Sequence, residues 1–276
     1  MKISTIILTY NAERTIGATI ESALPVSDET FVVDSGSTDQ TLAIVGRYPV
    51  CVVPHPFENY SAQRNWASDN LPLQGDWELH LDADERLSPA LAQEIVSLKA
   101  AGDEPVDGYF IARLVHFLGR PIRHGGMYPI WHMRLFRHAR GRCEARLYDQ
   151  HFYVPGATRR LQNPMIDDQR NALSEWSLRH IRWADAEMNA MLNPQKTGIS
   201  ARLAGTPVER KRAFRGVFYR APRFARSFAL FVYRYVFLLG FLDGKPGLIF
   251  FVLQTFWFRF LIDAKLYERE LAEREK

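Results

Sequence analysis

Apolar and polar positions follow two rhythms along this chain. Over the first hundred residues, short runs rich in β-branched side chains, Ile3–Thr9, Thr30–Asp34, Val50–Pro54 and Trp77–Asp82, are separated by stretches with helical spacing. That alternation predicts parallel βαβ units. Asn11 is placed to cap a helix running through Leu24. Ser37-Thr38-Asp39-Gln40 reads as a capping box ahead of a helix over Thr41–Arg47. Ser88 followed by Pro89 opens a further helix, and Gly102 stops it.

From Asp107 to about Val154 the texture changes. Alternating segments such as Tyr109–Val115 and Met133–Arg137 flank a loop rich in Gly, Pro and His, which predicts added strands and a mixed sheet. Leu173–Asn193 has helical spacing through Trp176, Leu178, Ile181, Trp183 and Met188, ended by Pro194. Two apolar stretches follow, Ser227–Leu242 and Gly247–Ile262, joined by Asp243-Gly244-Lys245-Pro246. The expected organisation is an α/β domain over 1–170, with halves at 1–100 and 101–170. A helical connector over 171–200 and a basic, hydrophobic helical region over 201–276 complete it.

Composition sharpens this picture at two points. With 47% hydrophobic and 24% charged residues among 276, the chain can bury a large core and is not a disordered polymer. The net charge of +4 conceals a dense basic run from Glu209 to Arg226, which points to a local anionic partner. Only Cys51 and Cys143 occur, without the paired spacing of a zinc or redox site, so both read as small apolar residues. The apolar run Ile3–Leu8 ends in Thr9-Tyr10-Asn11 without a cleavage signature and reads as a strand rather than a signal peptide.

The candidate chemistry begins at Asp82-Ala83-Asp84. These residues follow the buried-strand pattern Trp77–Leu81, so both carboxylates emerge at a strand's carboxyl end, the edge at which open α/β sheets bind ligands. Two carboxylates one residue apart suit Mg2+ or Mn2+ while leaving coordination positions for phosphate oxygens; a polar turn before a helix is the bland alternative. Thr9-Tyr10-Asn11 and Val33-Asp34-Ser35-Gly36-Ser37-Thr38-Asp39 end their own strands in the same manner, so three polar loops converge on one edge. Asp34 can accept from a nucleobase N–H, and the small Ser35 and Gly36 allow a ligand close to the backbone.

In that order, and with Ala62-Gln63-Arg64-Asn65 and Leu81-Asp82-Ala83-Asp84-Glu85, these motifs resemble family 2 glycosyltransferases of the GT-A fold. Leu118-Gly119-Arg120, Ile122-Arg123-His124-Gly125-Gly126, Arg134-Leu135-Phe136 and Gly240-Phe241-Leu242-Asp243-Gly244 are similar to the bacterial branch that builds lipopolysaccharide core and other surface glycans. The resemblance implies a Rossmann-like nucleotide-sugar-binding domain and an inverting transfer from a UDP- or other NDP-sugar. Thr9, Tyr10, Asn11, Asp34 and Ser35 would surround the nucleoside, Arg64 and Asn65 would lie near the nucleotide, and Asp82 and Asp84 would serve diphosphate and metal. An inverting transfer also needs a proton acceptor. Asp149 is the favoured base, in the segment Leu147-Tyr148-Asp149-Gln150-His151-Phe152, with His151 as the alternative and Asp167 and Asp168 as rivals. Related members often read His-Glu here, so this segment departs from them. Arg123-His124-Gly125-Gly126 reads as a flexible lid with donors for phosphate or sugar hydroxyls, or as an ordinary glycine turn. His180 has no second ligand at helical spacing and is not expected to bind metal.

The two C-terminal apolar stretches, about 16 residues each, fall below the roughly 20 needed for a simple bilayer span, and Arg234 and Arg259 interrupt them. Helices lying in an anionic membrane interface, or packed as ordinary core, are expected instead. The expected protein is peripheral or monotopic at the cytoplasmic face of a bacterial inner membrane, with an NDP-sugar donor and a lipid-linked saccharide acceptor. Direct transfer to polyprenyl phosphate, or a non-catalytic scaffold, are the competing readings. Self-association is compatible with the apolar tail; nucleic acid is not an expected partner.

Overall fold

A computed structural model describes residues 1–102, 105–145, 149–170, 172–193 and 199–274. The chain forms two compact units. One comprises Met1–His116, Pro129–Ala145 and Gln150–Gln169; the other comprises Phe117–Tyr128, Asp149 and the described residues from Arg170 onward.

The strands are β1 (Ile3–Thr9), β2 (Glu29–Asp34), β3 (Cys51–Pro54), β4 (Trp77–Asp82), β5 (Glu85–Leu87), β6 (Gly108–Phe117), β7 (Arg120–Pro121), β8 (Ile130–Arg137), β9 (Arg142–Cys143), β10 (Phe152–Tyr153) and β11 (Thr158–Gln169). The main sheet runs β3-β2-β1-β4-β8-β6-β11-β5. Its first four strands are parallel, β8 is antiparallel to both β4 and β6, and β11 is antiparallel to β5. This is the mixed α/β sheet expected of the GT-A fold. β1 is buried along its whole length, as a central parallel strand covered on both faces must be. Ile3, Ile7, Ile20, Val32, Leu79, Leu91 and Ile111 form the core on one side of the sheet, and Ile6, Leu8, Phe31, Val33 and Ala67 a second cluster.

The helices of the first unit are α1 (Ile16–Ala23), α2 (Thr41–Val45), α3 (Tyr60–Asn70) and α4 (Pro89–Ala101). α4 begins and ends as its sequence predicts: the Ser88 side chain accepts from the Leu91 N–H, and Gly102 takes φ +92° at the far end. Two other starts differ. α1 begins only at Ile16, because Asn11 takes φ +46° and its side-chain oxygen accepts from the Thr38 N–H in the neighbouring loop. α2 has no capping box; Ser37 bonds to Asp34 and Asn11, and Asp39 accepts from the Thr41 N–H. In both cases loop-to-loop bonds replace the local caps.

The second unit is helical: α5 (Leu173–Leu192), α6 (Pro207–Arg220), α7 (Ala225–Val232), α8 (Gly244–Phe251) and α9 (Phe258–Arg274), with wider π turns at Tyr233–Phe237 and Val252–Trp257. Pro194, expected to end α5, lies outside the described residues. α5 packs on α9 through Ala184, Phe258, Ile262 and Leu266. α6 carries a capping box at its start, where Thr206 accepts from the Glu209 N–H and Glu209 accepts from the Thr206 N–H. The length read for the second apolar stretch, about 16 residues, is corrected here. The second apolar stretch belongs to a continuous helical run, Gly240–Arg274, of 35 residues and mean hydropathy 1.5 over its most apolar window. By length and composition that run is able to cross a membrane. The charged segment after Ile262 keeps helical spacing and extends it.

Candidate nucleotide and metal site

In the first unit, β1, β2 and β4 end side by side: Thr9 pairs with Asp34 and Leu8 with Asp82. The loops that follow are stitched together. The Ser35 N–H donates to the Thr9 carbonyl and the Ala83 N–H to the Leu8 carbonyl. The Asn11 N–H donates to the Ser37 hydroxyl, which donates in turn to the Asp34 carboxylate. Asp34 also accepts from the Gly36 and Ser37 N–H groups, so its buried carboxylate shapes the loop that carries it. Tyr10 stands exposed at the rim, and among the described residues the buried Thr9 hydroxyl has no hydrogen-bond partner.

Asp82 lies at the centre of an alternating row of charges. The same Nη2 of Arg64 donates to both its oxygens at 2.7 and 3.0 Å, and Arg134 reaches it at 2.9 Å. Arg134 donates as well to Glu85 at 2.6 Å, and Glu85 accepts from the Asp82 N–H. Burial alone would raise the Asp82 carboxyl; the two guanidiniums outweigh it and hold the group well below the usual carboxylate range. Burial dominates at Glu85 and pushes its carboxyl up. Arg134 carries no role in the sequence reading because its partners lie about fifty positions away, across the β4–β8 pairing.

The half-buried Asp84 stands two residues beyond Asp82, and its carbonyl accepts from the Asp168 N–H at 2.8 Å. Among the described residues no three His, Cys, Asp or Glu side chains gather into a metal cluster. The hard oxygen donors at this edge are the carboxylates of Asp82, engaged by Arg64 and Arg134, and Asp84. That fits Mg2+ or Mn2+ completing its shell with waters and substrate phosphates, and does not fit a closed protein cage.

Next to Asp34 the structure opens a pocket of about 440 Å3 lined by His55, Pro56, Phe57, Glu58, Ala62 and Trp66. His55 stacks on Trp66 at 3.7 Å between ring centroids, its N–H donates to the Asp34 carbonyl, and Gln63 bridges it to Ser35. The sequence reading missed these aromatics. The available signal was their position after β3, at the same sheet edge as the other loops.

The other candidates are placed as follows. Asn65 donates to the Cys143 carbonyl and accepts from its N–H, so its amide is committed to holding β9. His151 is buried against His132, and its N–H donates to Glu144. Asp167 pairs with Arg113 and sits opposite Glu85, while Asp168 faces Arg86. Asp149 belongs to the second unit, where Lys211 and Arg215 hold its carboxylate at 2.6 and 3.0 Å; Leu147 and Tyr148 lie outside the described residues. Arg123-His124-Gly125-Gly126, also in the second unit, is tied down rather than loose. Asp243 accepts from the Arg123 and His124 N–H groups and faces His124 Nδ1 at 2.6 Å, and the Gly125 N–H donates to the Leu238 carbonyl. At Gly125, φ is +64° and an added Cβ would fall 2.1 Å from the Phe251 ring, so glycine alone fits there.

A lipopolysaccharide core biosynthesis glycosyltransferase, LpsC, of Rhizobium meliloti is 34% identical over 149 residues, covering 52% of this chain and 54% of LpsC. An uncharacterized glycosyltransferase of Rickettsia conorii is 39% identical over 103 residues, 37% of this chain and 36% of its own. The chain thus spans about half the length, or less, of these curated relatives. Among solved structures, S. aureus TarS 1-349 in complex with UDP-GlcNAc aligns with a TM-score of 0.46 at 14% identity, covering 98% of this chain and 92% of that one. Glucosyl-3-phosphoglycerate synthase from Mycobacterium tuberculosis, in complex with Mn2+, UDP and glucosyl-3-phosphoglycerate, aligns at 0.34 and 23% identity over 42% of this chain and 44% of that one. These alignments are too loose to carry a site from one protein to another. The model of the family described as Glycosyl transferase family 2 matches residues 4–163, more than half of the chain and nearly all of the first unit, and the chain belongs to that family.

Proposed function

We propose that this protein is an inverting glycosyltransferase that moves a sugar from an NDP-sugar, a UDP-sugar first among them, to a lipid-linked saccharide in bacterial surface-glycan assembly. The observation that carries the reading is the convergence of the Thr9–Asn11, Asp34–Ser37 and Asp82–Asp84 loops on one sheet edge beside an aromatic pocket. In this reading the pocket and Asp34 receive the base, and Thr9, Tyr10, Asn11 and Ser35 line the nucleoside. Asp84, with Asp82 behind it, would hold a divalent cation. When bound, the cation neutralises charge on the departing nucleoside diphosphate. Arg64 and Arg134 keep Asp82 ionised and engage both its oxygens, so direct coordination by Asp82 would require one of these bonds to open.

The acceptor hydroxyl must lose its proton as it attacks the anomeric carbon. Asp149 is proposed as the base, and proton transfer there requires a cationic partner such as Lys211 or Arg215 to release an oxygen. Asp168 is the second reading, favoured by the backbone bond that ties it to Asp84. The relative from Rhizobium meliloti, a lipopolysaccharide core biosynthesis glycosyltransferase, supports a lipopolysaccharide-type acceptor; the cytoplasmic face of the inner membrane is the proposed location, and free polyprenyl phosphate is the alternative acceptor.

The test is a thermal-shift panel of nucleoside diphosphates and NDP-sugars with and without Mn2+ or Mg2+. A ligand at 100 times its dissociation constant adds about 2.7 kcal/mol. Metal-dependent stabilisation by one nucleotide is the expected result. No response from folded protein would favour a non-catalytic scaffold.

A further inference from the structure

The second unit presents apolar side chains to solvent where a water-soluble helical unit would bury them. They concentrate at one turn between two helical runs: Val236, Phe237, Leu239, Phe241 and Leu242 are all exposed, Phe237 to 71%. Leu239 takes φ +60°, so the helical run ending at Phe237 breaks before the one starting at Gly240. A contiguous exposed apolar patch of this kind marks a partner or a membrane.

Charge decides which. Between Arg210 and Phe250 there are nine basic residues and one acid, Asp243; Lys211, Arg215, Arg223 and Arg226 are paired with acids elsewhere in the unit, while Arg210, Arg220 and Lys245 are exposed. Asp243 is turned inward, with its side chain only 4% exposed, because it holds the Arg123–His124 backbone. Beside the apolar turn, Arg120, Arg123 and Lys245 are exposed. On α6, exposed Phe214 and Val217 share a face with exposed Arg210. Apolar side chains beneath a rim of cations, with the lone acid withdrawn, complement an anionic bilayer.

We propose that the turn Val236–Leu242 is a docking element that enters the headgroup zone of an anionic membrane, and that Asp243 fastens the Arg123–Gly126 segment to it. Deepening the reading of a lipid-borne acceptor, this places His124 at the lipid surface. Nδ1 of His124 is engaged by Asp243, and among the described residues its Nε2 has no partner. A hydroxyl or phosphate on a membrane-borne acceptor would meet that nitrogen first.

The test is co-sedimentation of the full chain with phosphatidylcholine vesicles, with and without 30% phosphatidylglycerol, for wild type and for F237S/L242S. Both substituted side chains are exposed, so the variant should keep the wild-type melting temperature. Wild type should bind the anionic vesicles, less so as salt rises, and the variant at least tenfold more weakly. Equal binding by the two proteins overturns the proposal. A wild-type dimer in lipid-free light scattering that the variant dissolves, with no vesicle binding by either, also overturns it and makes the turn an interface between copies. Nucleotide thermal shifts run on both proteins keep the two readings apart. Vesicle binding without any nucleotide response would remove the donor assignment and leave the docking element standing.

Discussion

Asp82 and Asp84 look equivalent in the sequence and are physically different in the fold. Asp82 compensates two buried guanidiniums, so Asp82→Ala leaves Arg64 and Arg134 without their shared anion and should destabilise the protein by about 3 kcal/mol. Asp84→Ala should cost under about 1 kcal/mol and abolish metal-dependent nucleotide stabilisation. Chemical denaturation together with the thermal-shift panel separates the two, and full nucleotide response in Asp84→Ala would remove that residue from the metal site. The carboxylate pair was legible because it is local and follows an obvious buried strand. The arginines that hold Asp82 were not, because nothing in the local sequence reports which strand lies beside β4. The His55–Trp66 stack was illegible for a related reason: its members are eleven positions apart, in a loop and a helix, and only the fold brings the rings together.

Strand and helix positions were legible wherever one residue's chemistry sets a boundary. Ser88 is such a case, and Ser88→Ala should cost about 1 kcal/mol in a melting experiment through loss of its bond to the Leu91 N–H. Boundaries failed where a polar side chain had a better long-range partner. Asn11 and Ser37 are reasonable caps by type, yet each bonds across the gap between two loops and builds the ligand edge instead of starting a helix. The Arg123–Gly126 segment reads as a glycine turn in sequence and proves to be a close-packed joint. Gly125→Ala should destabilise the helical unit by about 2 kcal/mol or more, because both φ and the Phe251 ring oppose a methyl group; an unchanged melting temperature would show that Phe251 can move aside.

Acid should act on the molecule in two stages. In the helical unit, burial lowers His180 from its ordinary value to about 4, while its bonds to Trp176 and Gln254 oppose the shift. A histidine held neutral contributes stability that is present above its unfolded pKa and lost as pH falls from about 6.5 through 4. In the sheet unit, burial would raise Glu78, but bonds from His80, Ser68 and His138 hold it down to about 2. Its contribution, on the order of 3 kcal/mol, persists above about pH 4.5 and is lost as pH falls through 2. Burial also keeps His80 neutral, which adds acid lability to the same cluster below about pH 6.5. Trp176 and Trp183 report on the helical unit and Trp77 on the sheet. Fluorescence of single-tryptophan variants should therefore show both units losing stability below about pH 6.5 and the sheet unit a further loss below about pH 4.5, and a sheet unit insensitive to acid below pH 4.5 would refute the Glu78 contribution. The chain also passes back and forth between its units, at Phe117, Pro129, Asp149, Gln150 and Arg170, so neither is a contiguous segment. Arg123 and the Asp243 carboxylate that receives its N–H are 120 positions apart. At about 5–20 residues per second of synthesis, the nascent Arg123–Gly126 segment waits roughly 6–24 s for the residues that complete it. During that interval its backbone donors and the apolar side chains around them are open to chaperones, and a ribosome stalled before Asp243 would leave a chain whose ligand-binding edge is fully translated while this joint cannot yet close.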